Sequence, residues 1–436
     1  MKKVILLVSL LFASTITFAE GFQVNLQSTK QTGMGHTGTA IKLGAEGMHF
    51  NPASLIYIPK MDFSAGITGV KAIAKYESAE GYKAKTDNKM GTPLFLYAGF
   101  SLIPEKLAVG LSVTTPYGST NNWGRDWEGS SLVQDISLKS YFIQPTVAVK
   151  LAKGLSFGAG LMIATGDFSI SRGLLPSGAL YAAGAQYEDV VPLSVGVSGS
   201  SSVRIGYNIG LMYEFNDQFS VGLNYRSKVV MKVSSGEAKL SYIDAQAKEV
   251  IAATGLPIPP IDEASFSSEL PLPSNLTLGF AFKPITNLLL ALDVQYTGWS
   301  SYERLDLVFN EDILKKYNIV AEKKYENTFG VRLGGQYTLN KKFDLRAGIY
   351  YDQTPVQEMQ YNPETPGADK VGISVGASYR PCKGLSIDIA FLYIDGLKTD
   401  GEYVTSSPLS ESAATYFRGR YKSIAFAPSI GLSYRF

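Results

Sequence analysis

Residues 424–436 read Ile424-Ala425-Phe426-Ala427-Pro428-Ser429-Ile430-Gly431-Leu432-Ser433-Tyr434-Arg435-Phe436. Ile424, Phe426, Pro428, Ile430, Leu432, Tyr434 and Phe436 share one parity, while Ala425, Ala427, Ser429, Gly431 and Ser433 share the other. Successive side chains of a strand point to opposite faces, so the stretch is a strand with one large apolar face and one small, polar face. A membrane barrel turns the first to lipid and the second to its lumen. The division recurs upstream. Leu288, Leu290, Leu292, Val294 and Tyr296 oppose Ala291, Asp293, Gln295 and Thr297, and Leu345 and Ile349 oppose Asp344, Arg346 and Asp352. Trp299 falls on the inward parity unless Gly298 marks a bulge.

Working back through the chain, period-two segments fall at residues 61–76, 90–103, 106–116, 136–151, 154–170, 201–214, 217–233, 270–283, 287–309, 325–339, 342–351, 370–380, 384–394 and 418–436, fourteen in all. The gaps alternate strictly: six are tight turns and seven run from about a dozen to three dozen residues. That asymmetry is the pattern of an outer-membrane barrel, with turns on the periplasmic side and loops outside. A soluble sandwich has no reason to keep it throughout. The predicted fold is therefore all-β, a 14-stranded antiparallel transmembrane β-barrel occupying residues 61–436.

Composition agrees. Among 436 residues there are 43 Gly, 26 Tyr and 22 Phe, charged residues are 18%, and mean hydropathy is +0.04. Beyond the first twenty residues no run of roughly 18 apolar residues exists, so a bilayer crossing must use strands. Lys2 and Lys3, the apolar run from Val4 to Leu11 and Thr17-Phe18-Ala19 form the three parts of a secretory signal peptide, assigned to residues 1–19. Without its two lysines the mature chain carries 38 basic and 38 acidic side chains, which suggests no nucleic-acid partner. Cys382 is the only cysteine, so no intrachain disulfide contributes.

Residues 20–60 do not alternate. A fourteen-stranded barrel lies near the size that leaves an aqueous channel, so its lumen must leak or be filled. Gly33, Gly35, Gly38, Gly44 and Gly47 permit close packing, and Phe22, Val24, Leu26, Phe50, Leu55 and Ile56 supply apolar surface. The segment is predicted to be an N-terminal hatch plugging the lumen.

Enzyme-like motifs do not survive their context. Gly33 to Gly38 matches the dinucleotide pattern G-x-G-x-x-G, but no strand precedes it and no βαβ unit surrounds it. Gly154 to Gly158 and Gly372 to Gly376 match G-x-S-x-G inside alternating strands, not at a strand-to-helix turn. The two histidines, His36 and His49, lack a carboxylate or cysteine cluster that would argue for a metal. No catalytic residue, metal or cofactor is expected. The outer loops are more informative: residues 173–199 contain Leu174, Leu175, Leu180, Tyr181, Val190, Val191 and Leu193, and residues 250–266 contain Ile251, Leu256, Ile258, Ile261 and Phe266. Such apolar loops either bind a hydrophobic ligand or pack on one another.

Several stretches resemble the FadL/TodX family of outer-membrane transporters. They are Asn51-Pro52-Ala53, Thr115-Pro116-Tyr117-Gly118 followed by Trp123 and Trp127, Pro273-Ser274-Asn275-Leu276-Thr277-Leu278-Gly279, Gly298-Trp299-Ser300, and above all residues 345–356. The resemblance implies a monomer in the outer membrane of a Gram-negative bacterium, in contact with its lipid, that takes up long-chain fatty acids or similar hydrophobic molecules. It also implies an apolar groove on the third and fourth outer loops, here Leu174, Leu175, Leu180, Tyr181, Val190, Val191, Leu256, Ile258 and Phe266, followed by an inner pocket from which the ligand is released by a rearrangement of the hatch. Phe50, Asn51, Pro52 and Ala53 would belong to the hatch. The resemblance also implies a kinked third strand that opens sideways; Pro116 lies near the end of that strand, and the sequence does not mark where the kink falls. A ligand carboxylate would want a cation, for which Arg332 and Arg346 are candidates. Two alternatives stay open: uptake of aromatic hydrocarbons in the same fold, and a non-selective porin.

Overall fold

The computed structural model describes residues 21–255, 258–357, 359–405 and 415–436; residues 1–19, read from sequence as a signal peptide, and Leu256 of the loop candidates lie outside them. Fourteen antiparallel strands close into a barrel. β1 comprises Met61–Thr68 and Lys71–Glu77, β2 Leu94–Ile103, β3 Leu107–Thr114 and Gly118–Asn122, β4 Asp135–Ala152, and β5 Leu155–Gly173. β6 is Leu193–Ser200 and Arg204–Glu214, β7 Phe219–Arg226 and Val229–Tyr242, β8 Glu263–Leu272 and Asn275–Ile285, and β9 Leu288–Thr297 and Arg304–Phe309. β10 is Ile319–Glu322 and Thr328–Thr338, followed by β11 Phe343–Asp352, β12 Lys370–Tyr379, β13 Leu385–Thr405 and β14 Thr415–Arg435. The register from Asp62↔Arg435 to Thr68↔Ser429 joins first strand to last and leaves no sheet edge.

Parity decides what each side chain meets. On β10 Arg332 is 2% exposed and Leu333 53%; on β14 Ala427 is 0% exposed and Ile430 52%. Large apolar groups cover the outside, and Asp293, Arg332, Asp344, Arg346 and Asp388 are buried in the interior. This inverts a soluble protein and fits a wall solvated by hydrocarbon.

The strands reach further outward than alternation indicates. Leu193–Ser200 and Glu263–Leu272, of which residues 193–200 and 263–269 are read from sequence as loop, are the outer halves of β6 and β8, so Phe266 is a strand residue. Beyond the bilayer no lipid demands one apolar face, and period two fades although pairing continues. Breaks mark the transition. Arg226 pairs with Asn275, Asn275 with Thr297 and Thr297 with Thr328, and each strand is interrupted just past that line. Trp299 lies beyond it in the short turn Trp299–Ser301, buried inward, with the β8–β9 register intact from Ala281↔Ala291 up to Asn275↔Thr297.

Candidate functional site

Residues 21–58 fill the lumen, seated where wall glycines leave room. Asn51 caps the short helix Pro52–Tyr57, its Oδ1 accepting from Ala53 N at 3.0 Å, while proline at the first position has no donor to satisfy. Its Nδ2 donates to Thr39 O at 2.8 Å and to Leu211 O of β6 at 2.9 Å. A Cβ on Gly158 would stand 2.3 Å from the Pro52 carbonyl carbon, and one on Gly210 2.0 Å from Asn51 Oδ1. Phe50 packs on Gly38 in the same way. Opposite, Gly35 and His36 take φ of 61° and 63°, and a Cβ on Gly348 would meet Gly35 N at 2.0 Å. Gly35 N donates to Ser374 Oγ at 3.0 Å. The glycine pattern at 33–38 and the serine pattern at 372–376 are thus two sides of one hatch–wall contact, and Ser156 of the other serine pattern bonds Met212 O.

Polar contacts complete the seat. Asp293 accepts from Gly38 N, Thr39 N and Thr39 Oγ1 at 2.8, 3.0 and 2.9 Å. Lys30 pairs with Glu46 at 3.1 Å and with Asp388 at 3.6 Å. Burial works to raise Glu46, yet Lys30 and the hydroxyls of Ser28 and Ser64 hold it below the usual carboxylate range.

Above the hatch is an aromatic box. The Phe22 ring lies edge-on to Trp299 at 4.9 Å, Tyr302 at 5.7 Å and Tyr117 at 6.2 Å between centroids, and Tyr302 meets Tyr325 at 5.0 Å. Trp123 and Trp127 stack at 4.6 Å in the same apolar cluster. The buried pair Lys323–Glu364 adjoins the box; burial works to lower Lys323, and Glu364 with the nearby tyrosines raises it.

Beside the box the wall is open. The β2–β3 ladder runs from Ile103↔Leu107 to Phe95↔Thr114, and continuing its register would set Pro93 opposite Pro116, neither of which has an N–H to give. Thr115 Oγ1 makes the last step, accepting from Leu94 N at 3.1 Å. Above it the strands part until Asp87 N reaches Asn122 O at 2.8 Å and Asn122 N reaches Asn88 Oδ1 at 2.7 Å. On the inside the hatch covers the break: Val24 N donates to Pro116 O at 2.8 Å and Gly118 N to Phe22 O at 3.0 Å. A cavity of about 440 Å³ occupies the gap. Its lining takes inward Leu138 and Ser140 as well as outward Lys139 and Tyr141 of β4, and inward Ala74 as well as outward Ile73 of β1, so it passes through the wall.

The loop candidates gather, but largely against one another. Leu175 and Leu180 are buried in one cluster with Tyr187, Leu240 and Ile251, with Leu174 and Ile258 at its margin. Val191 is buried, Val190 half-buried and Tyr181 exposed. Phe266 belongs to a separate cluster with Val233 and Phe309. The arginines have acidic company. Arg332 pairs with Asp352 at 3.0 Å and borders a polar cavity of about 40 Å³ beneath Val24. Arg346 lies on the short-turn side, 3.6 Å from Asp344, and bonds Gln336 and Ser378; it lines a polar cavity of about 740 Å³ there. Sequence reasoning missed the aromatic box and the position of the opening, including its upper rim at Asn88. Two prolines inside period-two runs were the available signal.

Comparison with known proteins extends over the same length. The family described as Outer membrane protein transport protein (OMPP1/FadL/TodX) matches residues 10–436. Outer membrane protein P1 of Haemophilus influenzae is 24% identical over 467 residues, spanning 98% of this chain and 97% of its own. The long-chain fatty acid transport protein of Escherichia coli is 23% identical over 417 residues, 90% of this chain and 91% of its own. Among solved structures, a Pseudomonas aeruginosa FadL homologue superposes with a TM-score of 0.80 at 22% identity, covering 95% of this chain and 100% of that one. The Pseudomonas putida toluene transporter TodX superposes with a TM-score of 0.71 at 18% identity, over 96% and 100%. A family match that takes in hatch, barrel and outer loops together decides the matter: the chain belongs to the OMPP1/FadL/TodX family of Gram-negative outer-membrane transport proteins.

Proposed function

We propose that the protein takes up long-chain fatty acids or similar amphipathic hydrophobic molecules without an energy source. The observation that carries this reading is the apolar cavity crossing the wall next to the aromatic box. Burial supplies the attraction: at roughly 0.8 kcal/mol per CH₂, an acyl chain gains several kcal/mol after ordering costs. Capture would begin at the loop margin formed by Leu174, Tyr181, Val190 and Ile258, with Leu175, Leu180 and Val191 packed behind and Phe266 further along. The ligand would then enter the box as the Phe22 ring gives way, and the hatch around Phe50, Asn51, Pro52 and Ala53 would stay seated. Of the two arginines, Arg332 is nearer the ligand side, and Arg346 lies beyond the hatch. The protein would act as a monomer.

The ring-lined box favours a second reading, aromatic hydrocarbons, within the same class. Uptake of radiolabelled oleate and toluene, compared between a strain lacking the protein and the same strain complemented, tests both. Faster oleate uptake supports the first reading, toluene alone the second, and no difference for either removes both.

A further inference from the structure

The cavity through the wall carries three lysines, Lys89, Lys139 and Lys370, and no Asp or Glu among its lining residues. That is unusual in this molecule. The cavity on the short-turn side mixes Lys30, Arg346 and Arg380 with Asp62, Asp344 and Glu214, and Lys30, Arg332 and Arg346 each face a carboxylate within 4 Å. A path for neutral hydrocarbon has no use for ammonium groups beside Val70, Ile73, Leu94, Leu138 and Ile424, since such groups lose hydration against apolar surface. An acyl chain ending in an anion would use both.

Two of the lysines are placed for this. Lys139 is on the outward face of β4, opposite Gly118 just past the β3 break, and makes no ion pair among the described residues. Asp167 stands across from it on β5 but accepts from Ser200 at 2.8 Å. Lys89 is exposed next to Asn88, which ties the upper rim of the opening to Asn122; its charge is felt by Asp135, with which it forms no ion pair among the described residues. Lys71, on the same rim, is already engaged with Asp87 at 3.7 Å. A head group leaving through the opening therefore passes Lys139 on one side and Lys89 above.

We propose that the wall opening is a binding site for an anionic amphiphile, with the acyl chain on the apolar lining and the carboxylate between Lys89 and Lys139. The inference rests on the transport reading for its biological sense, but the site can be tested separately. Oleate and oleyl alcohol have the same chain and differ in the charge of the head. Their binding to purified full-length protein, in detergent free of lipopolysaccharide, would be followed by tryptophan fluorescence for wild type, K89Q/K139Q and K89R/K139R. The expected result is a fall of about fivefold in the oleate-to-alcohol affinity ratio for the glutamine pair, with the arginine pair retaining it. An unchanged ratio in a glutamine pair that keeps its heat-modifiable mobility on gels overturns the site. Uptake in cells separates the two ideas: oleate transport with an unchanged ratio leaves the transport reading standing and removes the lysines, whereas a shifted ratio with no oleate uptake does the reverse.

Discussion

At the scale of single residues, the hatch places both histidines of the chain next to arginines. His49 Nδ1 lies 2.9 Å from Arg226 Nη1, and His36, tilted against Tyr350 at 5.1 Å, faces the charge of Arg332. Burial first, and then these guanidinium groups, depress both imidazoles, His36 to about 3 and His49 well below its ordinary value. The unfolded hatch would take up protons near pH 6.5, and the seated hatch does so only far lower. Seating is therefore fully favoured above about pH 6.5 and weakens as pH falls toward 3. Ion conductance through the purified protein in planar bilayers should rise over that interval and return to its low value at neutral pH. H36N, with a side chain that tolerates the left-handed backbone at this position, should flatten the rise. Equal acid sensitivity in H36N and wild type would show that protonation elsewhere unseats the hatch.

Among the elements, the opening is set by β2 and β3, and the two prolines that would face each other at the end of their ladder explain why pairing stops there. Replacing both, as P93V/P116V, returns two N–H groups and lets the ladder advance toward Asn88. At about 1 kcal/mol for each restored bond, the barrel should gain stability while oleate uptake falls. A shift in the temperature of the gel-mobility transition reads the first effect and radiolabelled uptake the second; undiminished uptake would place the exit elsewhere. This region also marks how far the sequence could be read. Strands such as 287–297 and 424–436 were legible because lipid enforces large apolar groups at every second position. Phe266, and Leu193 to Ser200, were not, because outside the bilayer ribbons pack on one another and carry no such stripe. Arg332 and Arg346 were visible as inward cations, but parity does not report height, and the hatch separates them by lying between their cavities. The lysines of the opening were hidden for the same reason as the box around Phe22: each is assembled from strands far apart in the chain.

For the molecule as a whole, a closed barrel of fourteen strands and a seated hatch are one structure with two separable stabilities. The wall is completed by the β1–β14 register and by the Asp62–Arg435 pair at 2.8 Å, neither of which uses a hatch residue. The hatch, by contrast, depends on the wall at every turn: glycines at 158, 210 and 348 leave its space, Asp293 binds its backbone, and Asp388 binds Lys30. Removing residues 22–56 should therefore leave a chain that still inserts and shows heat-modifiable mobility, since lipid burial and closed pairing remain. The emptied lumen would lose Lys30 and Glu46 and retain Arg226, Arg332, Asp293 and Asp388 along a water-filled path. A barrel of this strand number then conducts, and single-channel recordings should change from a closed baseline to a steady open current. Full-length protein with a large steady current would make the non-selective porin the correct description. A deletion protein as tightly closed as the full chain would mean that the outer ribbons, and not the hatch, seal the barrel.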